Sequence, residues 1–247
     1  MLKNIAVKVQ YDGTRYNGWQ VQGNTEKTIQ GKLEAILKKM TGKYIEVHGS
    51  GRTDGGVHAL GQIANFKLET ELSAEEIMRY INRFLPDDIG IVAAWEADMR
   101  FHSRLSATGK TYRYRILTGE IPEVFGRRQR FWHKEKLDVA AMKKAAEDFI
   151  GKKDFMSFCD NKRMKKSTVR EITSLDITEN GNEIIIDVTG NGFLYHMVRI
   201  IAGTLIEIGE GKRAADSVPA IIEAKDREKA GVIAAAEGLT LMEVFYA

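Results

Sequence analysis

Apolar and polar side chains alternate over residues 5–11, the two-residue period of a strand with one buried face. Ile29, Leu33, Ile36, Leu37 and Met40 then recur at the spacing of a helix face, and strand-like runs follow at residues 45–47 and 63–68. The sequence SAEE, from Ser73 to Glu76, predicts a capping box. Behind it Ile77, Tyr80, Ile81 and Phe84 form a buried helical stripe, Pro86 stops the helix, and residues 89–95 read as a strand. The order is β-α-β-β-α-β.

The same order returns in the second half. Residues 110–117, KTYRYRIL, read as a strand, and residues 137–150 as a helix capped by Asp138. Two strands flank the hairpin dipeptide Asn180-Gly181. A long helix over 194–208, a short one near 216–224 and a closing strand over 239–246 complete the set. Two such units predict an α+β fold of tandem ferredoxin-like halves, their antiparallel sheets joined into one central sheet with helices on one face. The repeat is one of pattern, without evident sequence identity. No low-complexity linker separates the halves, and residues 100–107 make the best boundary, giving an N-terminal half over 1–103 and a C-terminal half over 104–247.

The halves differ at one connection. In the second, a tight turn joins the middle strands; in the first, the link is the glycine-rich stretch GSGRTDGGVHALG, residues 49–61. Hairpin loops are usually about 2 to 5 residues, and an oversized loop on a rigid scaffold is where function concentrates. A dinucleotide fingerprint fails because Asp54 stands at its third glycine and a strand follows. A Walker loop fails at GKT, residues 109–111, because Arg104 stands at the upstream glycine. Asp54 and His58 have no further carboxylate or histidine at helical spacing to complete a metal site. What remains is one carboxylate, Asp54, two residues after Arg52, or else a slack hairpin with a solvated Asp.

Such a carboxylate would act as a nucleophile if kept dry and oriented by a cation. Residues 193–208 are apolar nearly all round, as a central helix would be, and Arg199 is the permanent charge in their middle. A buried guanidinium must find a partner; the alternative is an Arg snorkelling at a surface edge.

Composition adds bounds. The chain has 247 residues, 29% of them charged, and a net charge of only +3, so binding to a polyanion must rest on local clusters. Cys159 is the single cysteine, which excludes an intrachain disulfide and multi-cysteine metal sites. The N-terminus has no signal-peptide core and no apolar run reaches a membrane span, so a cytoplasmic protein with no membrane partner is expected. Three clusters interleave cations with aromatic or polar residues: KTYRYR, with Tyr112 and Tyr114 on one strand face and Arg113 and Arg115 on the other; RRQRFWHK over 127–134; and NKRMKKSTVR, which carries Arg163, Lys165 and Lys166. Cations grip phosphates and aromatics stack on unpaired bases, the combination expected for structured RNA.

Nine blocks, in one order along nearly the whole chain, carry a resemblance: YDGTRYNGWQ, TIQGKLEAIL, SGRTDGGVHALGQIANF, INRFLPDDI, FHSRLSATGKTYRYRI, DFMSFC, STVREI, NGFLYHMVRIIAGTL and AAEGLTLMEV. The sequence resembles the tRNA pseudouridine synthases of the TruA branch, which modify uridines of the tRNA anticodon stem-loop, usually at positions labelled 38, 39 and 40. The resemblance implies the pseudouridine synthase fold of two ferredoxin-like halves, a homodimer, and no metal or organic cofactor. It makes Asp54 the catalytic carboxylate, Arg199 the salt-bridge partner of Asp54, Tyr112 the residue that packs on the base and takes the C5 proton, and Arg52 the side chain that enters the RNA stack as the uridine leaves. The detached uracil needs a dry pocket, for which Phe193 and Leu239 are candidate walls. Arg113, Arg163, Lys165 and Lys166 are candidate RNA contacts.

This sequence departs from the family at Gly55, where alanine is usual, and at Ala235 and Thr240, where proline and tyrosine are expected. Three rival readings are a paralogue acting on another RNA, a non-catalytic RNA-binding protein with two RRM-like halves, and a glycosidase. NGFLYHMV has the spacing of an RNP segment, but it opens an apolar helix. A glycosidase would release free uracil and usually needs two carboxylates, where the loop offers one.

Overall fold

The computed structural model describes residues 1–161 and 166–247. Arg163 and Lys165 lie outside the described residues. The chain forms two compact units: Met1–Thr108 with Leu241–Ala247, and Gly109–Thr240. The first division thus falls a few residues beyond the expected 103/104 boundary, and the last residues return to the first unit.

The first unit runs β1 (Leu2–Tyr11), α1 (Ile29–Thr41), β2 (His48–Gly49), β3 (His58–Glu69), α2 (Ala74–Phe84) and β4 (Ile89–Ala97). β1 lies between β4 and β3, β2 pairs with β3, and every pairing is antiparallel. This is the ferredoxin-like order. The core of the sheet is apolar where the alternation predicts it: Ile5, Val7 and Val9 are fully buried, with Val7 opposite Ala64 on β3 and Ala94 on β4. The capping box is present. Ser73 Oγ accepts from Glu76 N at 3.2 Å and Glu76 Oε2 accepts from Ser73 N at 2.8 Å, which holds the Glu76 carboxyl below its ordinary value. Of the predicted stripe, Ile77 and Ile81 are fully buried, whereas Phe84 is partly exposed with the Lys39 ammonium of α1 3.8 Å from its ring centre.

Two corrections concern the glycine-rich connection. The run at residues 45–47 is not a strand: the Val47 N–H donates to the Glu34 carboxylate of α1 at 3.1 Å, and pairing begins only at His48. β3 starts at His58, so the loop proper spans only residues 50–57.

The second unit runs β5 (Ala107–Thr118), β6 (Phe131–His133), α3 (Val139–Glu147), β7 (Gly151–Asp154), β8 (Val169–Asn180), β9 (Glu183–Gly190), α4 (Met197–Gly209) and α5 (Val218–Ala224), and the chain ends with β10 (Leu239–Tyr246). β5, β9, β8 and β7 pair in that order, antiparallel, while β6 joins β5 in parallel. The turn after Asn180 is tight, with Gly181 at φ 63°. Asp138 caps α3 by accepting from Ala141 N at 2.9 Å. β6 and β7 are strands the pattern did not predict. α4 begins at Met197 rather than 194, because Asn191 is tied by both its side chain and its N–H to Glu171 on β8, and His196 turns the chain into the helix at φ 59°. Apart from Arg199 and Glu207, every residue of α4 is buried.

Candidate active site

The loop at residues 50–57 is rigidly held from below. Ser50 N donates to Ile63 O at 2.7 Å and its hydroxyl to Gln62 Oε1 at 2.6 Å, while Gln62 Nε2 reaches back to Gly51 O at 2.8 Å. Ser50 and Gln62 are fully buried, so these bonds fix the root of the loop in a medium where breaking one is costly. Arg52 is exposed and Asp54 half-buried. The loop thus turns Ser50, Thr53 and Val57 inward and presents the two charges outward.

The segment YDGTRYNGWQ wraps the loop from the other side. Tyr11 OH and Thr53 Oγ1 share a 2.8 Å bond, Trp19 N donates to Thr53 O at 3.0 Å, and Gly56 N donates to Tyr16 O at 3.2 Å. Close approach explains the glycines here. Gly18 sits at φ 97°, and a Cβ on it would lie 2.5 Å from Thr53 O and 3.1 Å from the Asp54 carbonyl carbon. A Cβ on Gly49 would enter the buried Trp19 ring. At Gly55, by contrast, a Cβ would meet Tyr16 O at 3.4 Å, an ordinary contact, so the family's usual alanine would fit. His58, also buried, accepts from Gly13 N through Nδ1 at 3.1 Å, with Asp12 Oδ1 at 3.3 Å. The slack-hairpin reading is excluded by these bonds. In the sequence, the signal of this cradle is the pair of aromatic residues Tyr11 and Trp19 beside Gly13 and Gly18.

In the second unit Tyr112 and Phe193 meet. Tyr112 is buried on β5, and Phe193, half-buried ahead of α4, stands edge-on to it with ring centres 5.3 Å apart and planes at 90°. Tyr114, two residues along the same face, is fully buried and donates to Ala235 O at 2.9 Å. Burial pushes the Tyr114 phenol above its ordinary value. Arg199 is half-buried on α4; its Nε donates to Ala234 O at 2.7 Å and its own carbonyl accepts from Ala234 N at 3.1 Å. The segment before β10 is therefore stitched to α4. Gly231 N donates to Thr204 Oγ1 at 2.9 Å and Val232 N to Glu207 Oε1 at 2.9 Å, and a Cβ on Gly203 would collide with Val232 O. Leu239 is buried at the start of β10, directly after Gly238, where a Cβ would lie 2.6 Å from the Tyr114 ring.

The basic clusters are less free than their composition suggests. Arg113 faces Asp187 across β5 and β9 and binds it through Nε and Nη2, both at 2.8 Å, so two of its donors are already engaged. Arg115 donates to Glu183 at 2.7 Å, and Arg130 pairs with Glu183 and Glu123 at 3.2 and 3.1 Å. These pairs are cross-strand and loop staples. Lys166 is exposed. Among the described residues, no group of three or more His, Cys, Asp or Glu is placed to hold a metal ion, and no helix is long and apolar enough to cross a membrane.

Residues 7–106 and 145–247 match the family model described as tRNA pseudouridine synthase. Asp54, Phe193, Arg199 and Leu239 lie in the matched segments; Tyr112 and Arg113 lie between them. Among curated proteins, the chain is 44% identical over 243 residues to tRNA pseudouridine synthase A 2 of Bacillus anthracis, covering 98% of this chain and 99% of that protein. It is 43% identical over 245 residues to tRNA pseudouridine synthase A of Acetivibrio thermocellus, covering 99% and 100%. It is 46% identical over 240 residues to that of Bacillus sp. (strain KSM-64), covering 97% and 98%. A chain in a crystal structure of a Cbf5-Nop10-Gar1 complex is similar at 13% identity and a TM-score of 0.38, over 96% of this chain and 49% of that one, a likeness too slight to argue from. The family match and the identity over nearly the full length agree, and the chain belongs to the tRNA pseudouridine synthase family.

Proposed function

We propose that this protein isomerises uridine to pseudouridine in the tRNA anticodon stem-loop, at positions 38, 39 and 40, with Asp54 as the essential carboxylate. The reaction breaks the N1–C1′ glycosidic bond, turns the uracil in place and joins C5 to C1′. C5 loses a proton and N1 gains one, so the atoms balance without an added reactant. The observation that carries the reading is the identity of 43–46% over 97–99% of the chain to proteins named tRNA pseudouridine synthase A.

The geometry supports the assignment of roles. A nucleophile or electrostatic partner must keep its place while a base is extruded, and the bonds to Thr53, Gly51 and Gly56 hold the Asp54 loop on both sides. Arg199 pairs with Asp54 and orients it. Tyr112, braced edge-on by Phe193, packs against the uracil and takes the C5 proton; Phe193 and Leu239 keep the detached base from water. Flipping a stem uridine costs a few kcal/mol, and Arg52 offsets this by entering the vacated stack. Lys166 contacts the phosphate backbone, while Arg113 serves the sheet through Asp187. The protein works as a cytoplasmic homodimer.

The test is to incubate unmodified tRNA transcripts with the purified protein and map pseudouridine. Product at positions 38, 39 and 40 is expected. Pseudouridine confined to other positions would contradict the site assignment, and free uracil would point to a glycosidase.

A further inference from the structure

A chain of hydrogen bonds leads from the interior of the first unit to the exposed Arg52. The buried Glu34 carboxylate on α1 accepts from Gln30 Nε2 at 2.8 Å, Val47 N at 3.1 Å and Tyr44 OH at 3.2 Å. A carboxylate that accepts three donors fixes the Gln30 amide, nitrogen toward Glu34. The Gln30 oxygen then accepts from Val21 N at 3.0 Å and from Gln20 Nε2 at 2.8 Å. With its nitrogen committed, Gln20 has its oxygen for Arg52, whose Nε donates to it at 3.0 Å.

The polarity of this chain is forced at each link. Flipping either amide would set donor against donor or acceptor against acceptor. Glu34 and Gln30 are buried, Gln20 half-buried and Arg52 exposed, so order is passed outward from the packed helix to a side chain that would otherwise sample many rotamers. Holding Nε leaves both terminal nitrogens of the guanidinium to meet RNA.

We infer that Gln20 is a positioning residue for Arg52: through Gln30 and Glu34 it holds the guanidinium ready to enter the RNA stack. The inference rests on the reading of Arg52 as the inserting side chain. It also assigns a role to the last residue of YDGTRYNGWQ.

The test is a double-mutant cycle on pseudouridine formation in an anticodon stem-loop RNA, using wild type, Gln20→Leu, Arg52→Ala and the double variant, with melting curves to confirm folding. Gln20→Leu is expected to lower kcat/KM roughly fivefold, the size of one ordinary net hydrogen bond, with no further loss in the Arg52→Ala background. Gln20→Glu should cost more, because a carboxylate cannot donate to Gln30 and would bind Arg52 by charge. An equal loss from Gln20→Leu in both backgrounds, or none in either, would overturn the inference and leave Arg52 as read. Full activity of Arg52→Ala would overturn both.

Discussion

The Tyr11 phenol and the Thr53 hydroxyl share a buried hydrogen bond of 2.8 Å, one residue before Asp54. The end of β1 is thereby tied to the loop that bears the candidate catalytic carboxylate. Tyr11→Phe removes the bond and keeps the ring, so it is expected to cost about 1 to 2 kcal/mol of stability and to lower kcat. Thermal melts and steady-state kinetics on one preparation check both effects; an unchanged kcat would show that this tie does not position the loop.

Gly18 packs against the loop and Gly55 lies within it, and only Gly18 needs to be glycine. Gly18→Ala places a Cβ against Thr53 O at a positive φ and is expected to cost about 2 to 4 kcal/mol and most of the activity. Gly55→Ala meets an ordinary contact and is expected to change stability by less than about 0.5 kcal/mol. Parallel melting curves and rate measurements discriminate them.

Stability should fall steeply in alkali. Burial raises the phenols of Tyr11, Tyr114 and Tyr246 above their ordinary value of 10.0. A raised folded value means that the folded chain keeps protons the unfolded chain releases. The associated stability is whole below about pH 10 and is lost as pH rises toward the folded values. Denaturant titrations from pH 8 to 11 are expected to show a flat region followed by a decline, and Tyr114→Phe should make that decline shallower.

Arg199→Leu keeps the volume of a helix residue and removes the charge proposed to face Asp54. The lost bond to Ala234 O should cost about 1 to 2 kcal/mol, leaving a folded protein, while activity falls by a factor on the order of a hundred or more. Single-turnover kinetics with a circular dichroism control check this. Wild-type turnover would show that Arg199 only stitches α4 to the segment before β10.

Periodicity and capping made most elements legible in the sequence. Leu239–Tyr246 has the expected limits, and Ser73 with Glu76, like Asp138, caps as its type dictates. What was not legible depended on distant partners. The shift of β2 follows from the Glu34 carboxylate taking Val47 N–H, β6 is three residues stabilised by pairing beside β5, and β7 is the polar sequence GKKD, with no alternation to betray it. Asp54 and Arg199 stand out as candidates by type and context, and Tyr112 by the family resemblance. The cradle of Tyr11, Gly18 and Gln20 does not, because its meaning lies in contacts with residues more than thirty positions away.

The central claim is that Asp54 performs the chemistry on a flipped uridine, and Asp54→Asn tests it with the least change of shape. Pseudouridine formation in a tRNA transcript should be measured under single-turnover conditions, alongside tRNA binding and the melting temperature. Loss of product with binding and folding retained is the predicted result; pseudouridine formed by Asp54→Asn at the wild-type rate would contradict it.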